Sequence, residues 1–381
     1  MSSAWSWEEE LAEVRASLAT VGDPWRAGET GLSRLGGESR LARLGVPAPS
    51  AEEVERRANL RGEMTEAALG AAGLRCTAAN APAERLPESF DLRGGGDYTT
   101  PIKDQGECGS CSAFAVAAAL ESTAAYTRRV AGLDLDLSEA HLFFGYEAAR
   151  DGKSHDGSWP DDLLGDCVGG GVTFEDYWPY RADGAGSLNP DWPNRMARAE
   201  NIIDLTRKPA EIKYHIYGYG PVIACMVIYD DFFHYTGGIY RNTTDKTSGG
   251  HCVALIGWDD EQGCWIAKNS WGTNWGEGGF FRIAYGEAYI EDYPEPRPTT
   301  LGCTGVTLRA WLPAQRALGL YASASDGGGW AYLERLGWTR VSGGPGGMGT
   351  QLALLTGARA GGYPVVPFVE NDELIAVQTG Y

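Results

Sequence analysis

A cysteine at position 111, a histidine at 251 and an asparagine at 269 are the side chains of this chain whose types could carry out nucleophilic acyl transfer. A thiolate attacks a carbonyl efficiently when its charge is stabilised, a base handles the proton and donors receive the developing oxyanion. Cys111 follows the loop Pro101-Ile102-Lys103-Asp104-Gln105-Gly106-Glu107-Cys108-Gly109-Ser110 and opens an alanine-rich apolar run expected to be helical through about Arg128. Open amides and the dipole at a helix N-terminus favour an anion. Gln105, in the same loop, supplies a neutral amide that could donate to an oxyanion. Taken alone, Cys111 reads more readily as a buried structural cysteine, so the rest of the chain must decide.

The elements that would position these groups fall into two halves. The Cys111 helix is followed by Leu137-Ser138-Glu139-Ala140-His141, where Ser138 can cap a further short helix. A loop-rich stretch over 150–200 contains Cys167-Val168-Gly169-Gly170-Gly171, whose glycines let a backbone approach closely or simply turn. From about residue 212 the pattern changes to strands separated by glycines: Pro221–Ile228, His251–Trp258, Cys264–Lys268 and Gly279–Tyr285. His251 and Asn269 lie in this half. A helical lobe and a sheet lobe would thus each contribute one wall of a cleft.

Before this region, residues 1 to about 84 read as helical, with segments near 7–16 and 50–70 and an apolar stripe of Leu32, Leu35, Leu41 and Leu44. Residues 76–88 have the small-residue and proline content of an exposed linker. At the other end, Gln351–Ala358 is expected to be helical, and Val365–Val369 with Leu374–Val377 to form a hairpin turned at Asn371-Asp372. The expected organisation is therefore a helical segment over 1–85, an α+β domain over 86–300 and a small α+β domain of unassigned role over 301–381.

The formal net charge of −19 in 381 residues argues against nucleic acid or an anionic membrane as partner, since both require basic patches. No apolar run reaches the roughly eighteen residues of a membrane span. The acidic N-terminus lacks the basic and then apolar order of a classical secretory signal, which points to the cytoplasm or a non-classical route out. Of the eight cysteines, Cys225, Cys252 and Cys264 read as small buried hydrophobes and not as metal ligands, because no paired Cys-x-x-Cys set accompanies them. No metal or organic cofactor is implied. His141, His155, His215 and His234 read as packing or surface residues.

Four ordered blocks carry a resemblance to a known family. They are Gln105-Gly106-Glu107-Cys108-Gly109-Ser110-Cys111, then Cys167-Val168-Gly169-Gly170, then Gly250-His251-Cys252-Val253-Ala254-Leu255-Ile256-Gly257-Trp258, then Trp265-Ile266-Ala267-Lys268-Asn269-Ser270-Trp271-Gly272. Leu86-Pro87-Glu88-Ser89-Phe90-Asp91-Leu92-Arg93 resembles the start of a mature enzyme. Over residues 86–290 the chain resembles a divergent papain-like cysteine peptidase, whose signature and His/Asn placement are a known pattern.

That resemblance implies the papain-like two-lobe α+β fold and hydrolysis of peptide bonds through a thioester. Cys111 would be the nucleophile, His251 the base and then the acid, and Asn269 the group that orients the imidazole. Gln105 and the Cys111 amide would form the oxyanion hole, and Trp271 would shield the His251 to Asn269 hydrogen bond. Gly169 and Gly170 would line the cleft and pair with substrate backbone. Cys108 would bond Cys167.

The N-terminal segment would be an intramolecular inhibitor of a latent precursor, and a peptide or protein would be the substrate. Cys76, just before the presumed cleavage point, could lock Cys111 as a disulfide. Two positions depart from the pattern: Ser112 replaces an aromatic after the nucleophile, and Gly250 replaces a polar residue before the histidine. The same acyl-enzyme could instead be resolved by an amine, as in a ligase, and a permanently blocked cleft would make the chain a binding module.

Overall fold

The computed structural model describes residues 6–58, 61–71, 85–151, 157–244, 246–323, 328–343 and 347–379. Cys76 and His155 lie outside the described residues, and with them the proposed Cys76 lock.

The alanine-rich run folds as helix Cys111–Arg128. Its first turn hangs from the Ser110 carbonyl, which accepts from the Ala113 and Phe114 amides at 2.9 and 3.2 Å. It stops where Arg129 turns left-handed (φ 57°) and its amide bonds back to Tyr126. Nearly every residue from Cys111 to Tyr126 is buried, which small alanines permit when a helix is packed on all sides.

One face of this helix meets strand Thr247–Asp259, the long strand of the sheet lobe. That sheet runs in the spatial order Trp25–Ala27, Tyr235–Tyr240, Phe280–Ala284, Cys264–Lys268, Thr247–Asp259, Val222–Tyr229, Thr300–Gly302, Ile203–Asp204. A second sheet runs Ala317–Ala322, Gly329–Leu333, Gly337–Val341, Glu373–Thr379, Val365–Glu370, Val306–Trp311, Met196–Ala199, Val172–Thr173. The C-terminal strands therefore continue a sheet whose far edge comes from residues 172–173 and 196–199. One apolar core joins them to the Cys111 helix, through Leu120, Leu135, Leu163, Leu308 and Leu333.

Two local expectations change. The leucine stripe is not one helix: only Gly37–Leu41 is helical, behind the Gly36-Gly37 pair, and Leu41 is exposed. The stretch expected as loop over 150–200 contains helix Pro160–Gly169, started by a proline at its first position. Its glycine run is its C-terminal stop, since the Gly170 and Gly171 amides both bond the Asp166 carbonyl at 2.7 and 3.0 Å and Gly171 takes φ 91°.

The N-terminal segment wraps the sheet lobe. Helix Trp7–Thr20 buries Leu11, Val14 and Leu18, and Trp25–Ala27 adds an antiparallel edge strand to Tyr235–Tyr240. The buried Trp25 indole donates to the Arg241 carbonyl at 2.8 Å, and the Thr30 hydroxyl to the Phe233 carbonyl at 2.7 Å. After residue 47 the chain forms helices Ala51–Ala58 and Arg61–Gly70, the first tied by Arg57 to Asp292. Among the described residues, no helix is long and apolar enough to cross a membrane.

Candidate active site

Cys111 stands at the first position of its helix and is fully buried. The backbone amides of Gly45, Cys252 and Ser112 reach its sulfur. His251 lies on strand Thr247–Asp259, and Asn269 follows strand Cys264–Lys268, an antiparallel neighbour. This pairing brings the two side chains together: His251 Nε2 donates to Asn269 Oδ1 at 2.8 Å. The same oxygen accepts the Ser270 amide at 2.8 Å, which fixes the orientation of the carboxamide. With Nε2 so engaged, Nδ1 is the ring nitrogen left to exchange a proton, and it is buried without a hydrogen-bond partner. The Trp271 ring covers the imidazole, centroids 4.5 Å apart, and excludes water from the His251 to Asn269 bond.

Gln105 is held as firmly. Its backbone amide donates to the Ser270 carbonyl at 3.0 Å, and its Oε1 accepts from the Ser270 hydroxyl at 2.7 Å. That leaves its Nε2 as a donor, which bonds the carbonyls of Cys108 at 2.8 Å and Arg43 at 2.9 Å. The second acceptor belongs to the N-terminal segment.

Residues 43–47 cross the site. The Gly45 carbonyl accepts from the Ser158 amide at 2.7 Å, and the Val46 amide donates to the Gly250 carbonyl at 3.2 Å, making a one-residue antiparallel bridge. The Tyr293 hydroxyl donates to the Pro47 carbonyl at 2.7 Å. Glycine is required where the segment is tightest: a Cβ on Gly45 would lie 1.7 Å from the Gly109 carbonyl oxygen. A Cβ on Gly157 would lie 2.2 Å from the Gly45 oxygen, and one on Gly250 would lie 2.7 Å from the Val46 oxygen.

Burial sets the electrostatics. The Cys111 thiol is pushed up to about 12, and the His251 imidazole down to about 4 despite its bond to Asn269. With residues 43–47 in place, burial thus favours the uncharged form of both groups.

Two expectations fail here. Gly169 and Gly170 do not meet the crossing segment; Gly157 and Ser158 do. Helix Pro160–Gly169 puts about 15 Å between the two ends, at 1.5 Å per residue, and Gly170 packs beneath the Tyr146 hydroxyl. Cys108 and Cys167 are both free thiols. Cys108 sits in the nucleophile loop beside Ser110 and Tyr180, whereas Cys167 is near the far end of that helix, beside Asp166 and facing Cys303. Gly157 escaped sequence reasoning because the longer glycine run attracted the assignment; the available signal was Gly157-Ser158-Trp159-Pro160 opening a helix. Ser112, smaller than an aromatic, donates to the Ser158 carbonyl at 2.7 Å and so braces that same wall. Among the described residues, no group of three His, Cys, Asp or Glu side chains is arranged to hold a metal ion.

Comparison with known proteins identifies the family. The family profile described as papain family cysteine protease matches residues 86–294. Cathepsin B-like CP3 of Giardia intestinalis is 32% identical over 215 residues, covering 53% of this chain and 70% of that protein. Pro-cathepsin H of Mus musculus is 32% identical over 228 residues, covering 55% and 66%. Among solved structures, proCathepsin B S9 from Trypanosoma congolense superposes with a TM-score of 0.58 at 20% identity, covering 77% of this chain and 97% of its own. The digestive procathepsin L2 proteinase from Tenebrio molitor larval midgut gives 0.59 at 24%, covering 78% and 90%. The profile match over more than half of the chain and these relatives carry one assignment: the chain belongs to the papain family of cysteine proteases, and is a peptidase of the hydrolase class.

Proposed function

We propose that this chain is a latent cysteine peptidase in which Cys111, His251, Asn269 and Gln105 do the chemistry and residues 43–47 hold it silent. The observation that carries this reading is the Arg43 carbonyl on Gln105 Nε2, in a segment whose Gly45 amide reaches the Cys111 sulfur. An acceptor already fills the place where a substrate oxyanion would be received.

Once the segment leaves, water and substrate reach Cys111 and His251. The thiol proton passes to Nδ1, and the sulfur attacks the peptide carbonyl. Gln105 Nε2 and the Cys111 amide then donate to the oxyanion. Collapse breaks the C–N bond, and His251 returns its proton to the departing amine. A water, deprotonated by His251, attacks the thioester and releases the acid and the thiol. Asn269 keeps Nδ1 directed at the reacting atoms throughout. The segment over 1–85 acts as the intramolecular inhibitor, and a peptide or protein is the substrate.

Mass spectrometry of the purified chain, incubated with reductant across a pH series with and without a thiol-directed epoxide, tests this. Loss of about the first 85 residues together with one epoxide on Cys111 is expected. Cys111→Ala should lose at least about 10⁴-fold in turnover. Hydrolysis retained by that variant, or an epoxide carried elsewhere, overturns the assignment.

A further inference from the structure

Far from the cleft, the C-terminal sheet presents aromatic residues that the peptidase reading does not use. Strands Gly329–Leu333 and Gly337–Val341 alternate strictly: Ala331, Leu333, Thr339 and Val341 are buried, while Trp330, Tyr332, Trp338 and Arg340 lie on the other face. Trp338 is 55% exposed, an unusual position for the largest apolar side chain. Tyr332 and Trp338 are direct cross-strand partners with ring centroids 5.4 Å apart at 70°. Gly319, opposite Tyr332 on the next strand, makes room for the indole, since a Cβ there would lie 3.2 Å from the Trp338 ring.

These rings border a cavity of about 620 Å³. That volume falls in the range of small-molecule sites, about 300–1,000 Å³. Its polar lining comes as guanidinium and carboxylate pairs. Arg128 pairs with Asp372, which the left-handed turn at Asn371 and Asp372 presents, and Arg340 Nη1 lies 3.4 Å from Glu373. Arg129 stacks over the Tyr126 ring at 4.2 Å. Two of the three guanidiniums are matched by the two carboxylates and Arg129 leaves a single positive charge over, so most of the wall offers fixed, already paired hydrogen-bonding groups.

We propose that this cavity binds a neutral saccharide chain. A pyranose ring has an apolar C–H face that packs on an aromatic ring and a rim of hydroxyls that suits planar guanidinium and carboxylate groups. A proline-rich peptide also docks on aromatic-lined grooves, but it does not call for the paired guanidinium and carboxylate groups that a hydroxyl-rich saccharide can use here. The cavity lies at the Arg128 end of the helix that begins with Cys111, about 27 Å away for eighteen residues at 1.5 Å each. A saccharide held there would anchor the peptidase to a glycan-bearing target while leaving the cleft open.

The test uses the full chain carrying Cys111→Ala, so that it cannot process itself, titrated with cello-, xylo-, manno- and chito-hexaose and with a decaproline peptide. Tryptophan fluorescence and calorimetry are read at low and high salt. Saturable binding of at least one hexaose, insensitive to salt, is expected. Adding Trp338→Ala should weaken it about tenfold or more, Trp338→Phe should weaken it less, and Arg340→Gln provides an independent loss on the same wall. In the otherwise intact enzyme, Trp338→Ala should leave hydrolysis of short peptides unchanged. Binding of none of the saccharides, binding indifferent to Trp338 and Arg340, or binding of the proline peptide alone overturns the proposal.

Discussion

The two ends of the chain are attached to the peptidase in opposite ways. The N-terminal segment is laid on from outside: an edge strand at Trp25–Ala27, a few apolar side chains (Val14, Leu18, Trp25 and Leu32) set into the sheet lobe's core, an ion pair of Arg43 with Asp104, and the backbone of residues 43–47 beside Cys111 and Gln105. The C-terminal stretch is built into the interior. Strand Val306–Trp311 has neighbours on both sides, Val365–Glu370 and Met196–Ala199, and its apolar side chains share a core with the Cys111 helix. Removing the first, a cover, exposes the apolar patch beneath Leu18 and Trp25 but breaks no ladder beyond one edge strand; removing the second, a support, takes out strands that have neighbours on both sides. The proposed latency would thus rest on one end of the molecule and the larger share of the core on the other.

The largest effect should come from breaking the support. Ending the chain after Gly305 removes Leu308, Leu333, Val341 and Val369, all buried. At about 1.5–3 kcal/mol for each buried side chain, that loss is comparable to a whole domain's stability of roughly 5–15 kcal/mol. The truncated protein should fail to give a cooperative thermal transition, whereas the protein remaining after cleavage near Leu86 should keep one. A soluble truncation with normal melting would show that the C-terminal stretch is an independent appendage.

Acid should act on the cover. His251 is held down to about 4 by burial, against an ordinary value of 6.5. Between those values the open form binds a proton that the covered form refuses, so lowering the pH favours opening. The bias grows from pH 6.5 down to about 4 and then levels off, reaching roughly 3 kcal/mol at most. Amide exchange of Gly45 and Val46 in the Cys111→Ala chain, corrected for intrinsic rates, should accelerate across that window. His251→Gln should flatten the response; an unchanged pH profile in that variant would place the sensitivity elsewhere.

Steric disruption of the cover should be similar or smaller. Gly45→Val places a side chain against the Gly109 backbone, where even a Cβ would be 1.7 Å from oxygen. Overpacking of ~1–3 kcal/mol predicts about fivefold to 150-fold faster epoxide labelling of the unprocessed chain. Labelling at the parental rate would mean that residues 43–47 do not control access to Cys111.

What the sequence made legible follows the locality of each feature. The Cys111 helix, the strands that carry His251 and Asn269, and the hairpin at Asn371 and Asp372 are each encoded within a short window, and the structure contains them. The glycine run at 169–171 was misleading because glycine serves a helix stop as readily as a close backbone approach. The pairing of Val306–Trp311 with Met196–Ala199 and the seating of Gly45 between Gly109 and Gly157 join residues distant in sequence. No periodicity reports contacts of that kind. The missing Cys108 to Cys167 bond has the same origin, since a shared spacing in the chain does not bring two sulfurs to the same end of a helix.

The finest test separates what the backbone holds from what the side chains hold. Arg43 offers the cleft its carbonyl, through Gln105, and its guanidinium, through Asp104 at 2.6 Å. The Arg43 side chain is 10% exposed but Asp104 is 53% exposed, so water screens the pair from the carboxylate side and its contribution should be about 1 kcal/mol. Asp104→Asn keeps the acceptor for the Gly106 amide and removes only the charge. If latency rests on the backbone, this variant should open no more than about fivefold more readily than its parent, the equivalent of that 1 kcal/mol. High salt should produce the same small increase in the parent and none in the variant. A hundredfold release by Asp104→Asn would instead make the Arg43 side chain the clasp, and would shift the control of activity from the threaded backbone to a single surface charge.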